Sequence, residues 1–435
     1  MSIDAAQESE PQAYWSLRDA VSDGQTAVFT GSDTKMVNAL ETVLRESIRQ
    51  QMVADVPLGV FLSGGVDSST VVALMQAQST QPIKTFTIGF NESGYNEAED
   101  AKKVARHLGT EHTELYVSSQ EAMAVIPKLP TLYDEPFSDS SQIPTFLVSQ
   151  MARRHVTVSL SGDGGDELFG GYNRYLQGHQ IWNKIRIIPR PLRCLAAKMI
   201  ASVSPQRFDR IANAFSSMMP NELRAGRAGD KLHKLAEIID KESSEIFYKS
   251  LISHWKSPSS IVLDSHEPLT VITDNSQWPD LDDFILQMMY LDSITYLPDD
   301  ILVKVDRAAM GVSLETRVPF LDHNVVEFAW KLPLSLKIRN GHGKWILRQV
   351  LYKYVPKELI ERPKMGFGVP IDVWLRGPLR DWAEELLSES RLRQEGYFNP
   401  LPIRQKWDEH LSGNRNWQHH LWDVLMFQAW LEAWG

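Results

Sequence analysis

Gly59-Val-Phe-Leu-Ser-Gly-Gly-Val-Asp-Ser-Ser-Thr-Val-Val-Ala-Leu-Met75 decides the fold. The apolar run Val60 to Leu62 reads as a buried β-strand, and a helix follows from about Thr70. Between them the adjacent glycines Gly64 and Gly65 let the chain turn sharply and let an anion approach the main chain. A helix start directly after a strand offers unpaired N–H groups and the positive end of a dipole. Ser63, Ser68 and Ser69 add hydroxyl donors, so the loop is built for phosphate. It has no lysine, which excludes a Walker A loop, and it lacks the Gly-x-Gly-x-x-Gly dinucleotide pattern. It carries Asp67 instead. A carboxylate beside phosphate oxygens requires a cation between them, and Mg²⁺ held by one or two carboxylates plus phosphates meets that need.

The chain outward from this stretch alternates strand and helix. Val37 to Gln51 has apolar residues at helical spacing, Lys84–Phe90 and Glu111–Val117 read as strands, and Asn96–Leu108 as a helix between them. Helical segments at Ser119–Leu129 and Ile143–Arg154 lead into a fourth strand, Val156–Leu160. The pattern gives an α/β fold with a doubly wound parallel sheet. After about Tyr175 helices, prolines and tryptophans dominate and no strand is expected. Residues 1–35 read as an irregular lead-in, 36–180 as a nucleotide-binding core and 181–435 as a mainly helical region. No repeats or low-complexity tracts interrupt them.

Composition narrows the function classes. The chain has 435 residues, 43% of them hydrophobic and 23% charged, which is ordinary for a globular protein. A net charge of −10 argues against nucleic acid as the main partner. The single cysteine, Cys194, excludes internal disulfides and multi-cysteine metal sites and is expected on a helix, buried. No apolar run approaches the roughly 18 residues that span a membrane. No signal peptide is evident, so the expected location is cytoplasmic.

A second loop repeats the logic of the first. Val158-Ser-Leu-Ser-Gly-Asp-Gly-Gly-Asp-Glu-Leu-Phe-Gly-Gly-Tyr172 ends a strand in glycines and gathers Asp163, Asp166 and Glu167. In a doubly wound sheet ligands lie beyond the carboxyl ends of the strands, so both loops can face one crevice. Asp67 could then share a Mg²⁺ with Asp163 or Asp166.

The Ser63–Ser69 loop resembles the pyrophosphate loop of the ATP pyrophosphatase (adenine nucleotide α-hydrolase) superfamily. With Phe86-Thr-Ile-Gly-Phe90, Asp134-Glu-Pro-Phe137, Ser161–Glu167, Leu297-Pro-Asp-Asp-Ile-Leu302, Glu315-Thr-Arg-Val-Pro-Phe-Leu-Asp322 and Arg362-Pro-Lys-Met-Gly-Phe367, the chain resembles the synthetase domain of glutamine-dependent asparagine synthetases. The resemblance implies ATP and Mg²⁺, with L-aspartate and ammonia as further substrates. It implies that the aspartate carboxylate is adenylated and that ammonia then displaces AMP. By the same resemblance Leu62 and Ile88 hold adenine through backbone groups, and Ser63, Gly64, Gly65, Asp67, Ser68 and Ser69 form the phosphate loop. Ser161 and Gly162 contact the AMP portion, Asp67 and Asp166 bind Mg²⁺, and Lys364 offsets charge on the departing pyrophosphate. Asp163 stands where some members carry glutamate, near the acceptor, with a shorter reach. The usual N-terminal glutaminase cysteine has no counterpart here, so a separate glutaminase domain or subunit, or free ammonia, is the expected nitrogen source. A homodimer is one allowed assembly. Related amidotransferases and a β-lactam-synthetase-like ligase acting on another carboxylate are the alternatives. The Pro298–Arg307 stretch reads either as recognition of the amino acid's charges, as lining of the ammonia path or as a charged helix face. Glu315, Arg317 and Asp322 read as a buried structural ion network.

Overall fold

The strand read from Val60 and Leu62 lies at the centre of a parallel sheet in the computed structural model, which describes residues 13–90, 98–214, 228–362 and 368–435. The strands are β1 (Leu58–Phe61), β2 (Lys84–Phe90), β3 (Glu111–Val117), β4 (Val158–Leu160) and β5 (Glu315–Arg317), in the order β3-β2-β1-β4-β5. All four pairings are parallel. The chain steps from β1 outward through β2 and β3, then returns to place β4 on the other side of β1. That reversal makes the β1/β4 boundary the topological switch point, where parallel sheets open a crevice at their carboxyl ends.

Both faces of the sheet are covered at its centre, which is why β1, β2 and β4 are largely buried. Val60, Leu62 and Leu160 enter one core with the helices α2 (Asp33–Gln51) and α3 (Val66–Gln76), while Phe86, Ile88 and Phe90 enter the other with the helix Gln142–Arg153. Valine, alanine, leucine and methionine from Val71 to Met75 are all buried, so α3 is apolar all round and is inserted into the molecule. Truncating Leu74 there to alanine would cost about 2–5 kcal/mol.

Three expectations change. The lead-in contains a helix, α1 (Leu17–Thr26), capped by Ser16, whose hydroxyl accepts from the Asp19 amide at 3.1 Å. Helix α3 begins at Val66, not near Thr70, because Asp67 favours a helix amino terminus and Ser68 bonds back to the loop instead of breaking the first turn. The fifth strand arises inside the region expected to be helical. Glu315-Thr-Arg317 has no apolar pattern; its extended form is imposed by pairing with β4 in the register Val158↔Glu315 to Leu160↔Arg317.

The ion network expected around these residues is not buried. Glu315 is exposed, and Arg317 divides its guanidinium between that carboxylate and the carbonyls of Gln51 and Val53. Asp322 caps the helix His323–Lys331. Cys194 is half-buried on the helix Arg190–Ser202. A different charge is fully buried: Lys337, whose ammonium lies 4.5 Å from the centre of the Trp330 ring with no hydrogen-bond partner among the described residues. No described helix is long and apolar enough to cross a membrane.

Candidate active site

The two glycine-rich loops leave adjacent strands and lock together. In the first, the Leu62 amide adds one bond to the β1–β2 ladder, donating to the Phe86 carbonyl at 2.9 Å. Gly64 then takes a left-handed φ of 71°, and its carbonyl accepts from Arg362 Nη2 at 2.9 Å. A Cβ on Gly64 would come within 2.8 Å of that nitrogen and 2.9 Å of the Ala101 amide. The Ser63 and Ser68 hydroxyls are 3.0 Å apart, the Ser63 amide donates to Ser68 Oγ, and the Gly65 amide donates to Ser63 Oγ. Ser69 is fully buried, and its hydroxyl has no hydrogen-bond partner among the described residues.

The second loop occupies the space that the first leaves. A Cβ on Gly162 would lie 2.7 Å from the Ser68 amide nitrogen, and one on Gly165 would lie 2.5 Å from Asp67 Oδ1. These positions are glycine because another segment's backbone or carboxylate already fills the volume. Gly164 turns the chain with φ 84° into the short helix Gly165–Phe169. Ser161 Oγ donates to Asp163 Oδ2, and the Asp163 amide donates back to Ser161 Oγ at 3.2 Å. Burial pushes the Asp163 carboxyl above the usual carboxylate range, against the opposing pull of its bond from Ser161 and of the Lys304 charge.

Asp67 and Asp166, expected as partners in cation binding, do converge on one cation. It is the ammonium of Lys344, which pairs with Asp67 Oδ2 and lies 2.7 Å from Asp166 Oδ1. Burial opposes that charge, but the two carboxylates outweigh it and hold Lys344 well above the ordinary lysine range. The sequence reading missed this residue. Lys344 has a left-handed φ of 59°, and its amide donates to the Phe169 carbonyl at 2.9 Å. The signal was present in Gly341-His-Gly-Lys344 directly before the helix Trp345–Leu351, a glycine-flanked lysine at a helix start. Gly343 packs against Gly170, and Gly171 leaves room for the lysine stem, since a Cβ there would meet Lys344 Cε at 2.0 Å and Asp166 Oδ1 at 2.1 Å.

Two further clusters back the loops. Glu167 is buried, accepts from the Tyr172 hydroxyl at 2.6 Å and is pushed up to about 7, chiefly by burial. Beyond it the fully buried Asp292 accepts from Tyr175 at 2.6 Å, from Arg174 Nη2 at 2.7 Å and from Tyr248. Beside Asp163, Lys304 donates to Asp139 at 2.6 Å, and Asp139 is also held by the amide and hydroxyl of Ser141. Asp300 lies in the π-helical turn Leu297–Leu302 and is pushed up to about 7 by burial and by the Asp139 charge. Of the stretch Pro298–Arg307, then, Lys304 turns inward beside Asp163 and Asp300 lies by Asp139, while Asp306 and Arg307 are exposed.

Ile88 also has a place in this geometry. The β1–β2 register ends at Phe61↔Phe86, whereas β2 runs on to Phe90 and pairs with β3 throughout. The backbone of Ile88 on the β1 side thus passes beyond the end of its neighbour and borders the crevice. Lys364 lies outside the described residues; Arg362, two positions before it, binds the Gly64 carbonyl and the Asp100 carboxylate.

The residues fit a divalent cation without forming a complete metal cage. Among the described residues no group of three or more His, Cys, Asp or Glu is arranged to hold a metal. Two carboxylates that share a single cationic position are a donor set of the kind that binds Mg²⁺ together with phosphates.

The family model described as asparagine synthase matches residues 39–432. An asparagine synthetase (glutamine-hydrolyzing) 1 of Bacillus subtilis is 33% identical over 92% of this chain and 59% of its own length. The asparagine synthetase (glutamine-hydrolyzing) 3 of the same organism is 23% identical over 92% of this chain and 57% of its own. The amidase chyE of Penicillium rubens is 25% identical over 90% of this chain and 60% of its own. The chain thus spans less than two thirds of the length of these relatives.

Proposed function

The chain belongs to the asparagine synthase family, and on that premise we propose that it makes an amide from a carboxylate at the expense of ATP, with L-aspartate as acceptor and L-asparagine as product. The observation that carries this reading is the pair of interlocked loops at the switch point, whose Asp67 and Asp166 face one cationic position. That combination suits a nucleotide triphosphate bound with its metal.

A carboxylate is a poor electrophile until one oxygen becomes a good leaving group. On this reading adenine pairs with the backbone of Ile88 past the end of β1, and with Leu62. The amides and hydroxyls of Ser63, Gly65 and Ser68 take the β- and γ-phosphates at the start of α3. Mg²⁺ on Asp67 and Asp166 supplies neutralisation of the phosphate charge. The aspartate side-chain oxygen attacks the α-phosphorus, pyrophosphate leaves, and Lys364 offsets the charge on it. Ammonia then attacks the activated carbonyl and AMP departs. Asp163 is the acceptor for the proton that the attacking nitrogen loses, and its raised pKa suits that task. Lys304, beside Asp163, and Asp300, beside Asp139, recognise the charged groups of the amino acid. Burial of Lys304 and partial burial of Asp163 and Asp300 limit the water that would waste the activated intermediate.

The test is purified chain with ATP, Mg²⁺ and L-aspartate, given ammonium or glutamine, following pyrophosphate and asparagine. Both products with ammonium support the reading, and glutamine activity only on adding a glutaminase partner supports a separate nitrogen supplier. Absence of aspartate-dependent pyrophosphate under every nitrogen source would refute aspartate as the acceptor.

A further inference from the structure

The ammonium of Lys344 lies between Asp67 and Asp166, the two carboxylates read above as the metal's. Mg²⁺ binds carboxylate oxygens at about 2.0–2.1 Å with near-octahedral demands. The ammonium already pairs with an oxygen of each carboxylate, and the lysine is 5% exposed. We propose that Lys344 is a resident counter-ion which the metal must displace, so that the divalent cation enters together with the nucleotide's phosphates and not ahead of them. This rests on the reading of Asp67 and Asp166 as the metal's carboxylates.

Charge and geometry both support an exchange. With Lys344 in place the two carboxylates carry a net charge of one negative. Free metal would turn this positive and leave a buried ammonium with no anion. Metal arriving with a polyphosphate gives the displaced ammonium new acceptor oxygens and keeps the site near neutral. The lysine backbone stays where it is, held by its bond to the Phe169 carbonyl and by the contact of Gly343 with Gly170. Only the flexible four-carbon stem has to swing, out of the space beside Gly171 that it now fills.

The experiment titrates Mn²⁺ by electron paramagnetic resonance into the full chain, with and without pyrophosphate. Wild type binds free Mn²⁺ weakly and Mn²⁺ with pyrophosphate tightly. Lys344→Met binds free Mn²⁺ at least about tenfold more tightly, the scale of one charge interaction, and its enhancement by pyrophosphate shrinks by the same factor. Lys344→Gln gives the same direction if the methionine variant does not fold, and Lys344→Arg, which keeps the charge, stays as weak as wild type. Neutral variants that bind free Mn²⁺ no better than wild type, while Asp67→Asn still abolishes Mn²⁺·pyrophosphate binding, overturn the counter-ion role alone. If Asp67→Asn and Asp166→Asn leave Mn²⁺·pyrophosphate binding unchanged, the metal assignment itself falls and takes the counter-ion role with it.

Discussion

Replacing Lys337 with methionine should make this protein more stable, by an amount that depends on pH. The side chain is fully buried, and burial alone pulls its pKa down from the ordinary 10.5 to about 7. At about 1.36 kcal/mol for each factor of ten, that difference corresponds to about 5 kcal/mol of unfavourable burial in the charged form. The Trp330 ring face, 4.5 Å away, returns about 2 kcal/mol as a desolvated cation–π contact. Methionine has nearly the same length and no charge, so Lys337→Met should gain about 2–3 kcal/mol near neutral pH. The sign with pH follows from linkage. Between pH 7 and 10.5 the unfolded chain holds a proton that the folded chain does not, so wild-type stability rises with pH over that window. The advantage of the methionine variant should therefore be largest at pH 6 and shrink towards pH 9.5. Urea unfolding of both proteins at these two pH values is the assay. A variant that is destabilised by more than about 1 kcal/mol, with the same difference at both pH values, would refute the reasoning and mean that the ammonium has a strong partner.

Other perturbations probe the site. Gly162→Ala places a methyl 2.7 Å from the Ser68 amide nitrogen, so it should weaken nucleotide binding at least about tenfold, measured by calorimetry, while the far-ultraviolet circular dichroism stays unchanged. Asp292→Asn leaves the half-buried Arg174 without its counter-charge and should cost about 1.5–3 kcal/mol in urea unfolding; a loss under 1 kcal/mol would show that the tyrosines alone hold that cluster. Glu167, raised to about 7, holds a proton in the folded state that the unfolded chain releases above pH 4.5, so it makes stability fall as pH rises from about 5 to 7. Glu167→Gln should flatten that decline, and an unchanged slope would assign it to other groups.

How much of this was legible in the sequence depends on where each residue's conformation is decided. β2 and β3 were read to the residue because their β-rich runs are bounded by local turn signals. The tight turn between β1 and α3 was legible for the same reason: Ser63, Gly64, Gly65 and Ser68, which shape it, lie within six residues of one another. β5 was invisible because Glu315-Thr-Arg317 is extended only by virtue of β4 beside it. Lys344 was missed on the same ground, since what gives it meaning is two carboxylates far away in the chain. The pairing of Gly162 with Ser68 likewise requires the sheet order, which no local pattern of residues carries.

The distance along the chain between Asp67 and its ammonium, 277 positions, has a consequence for synthesis in the cell. A ribosome that has released only the first 340 residues has made both carboxylates and both loops but not the cation between them. Gly343 and Lys344 then have to dock on Gly170 and Gly171, a closure with no room for even one methyl group. The two loops are thereby made well before their cation, and the pair of carboxylates stays uncompensated by Lys344 until synthesis has passed it.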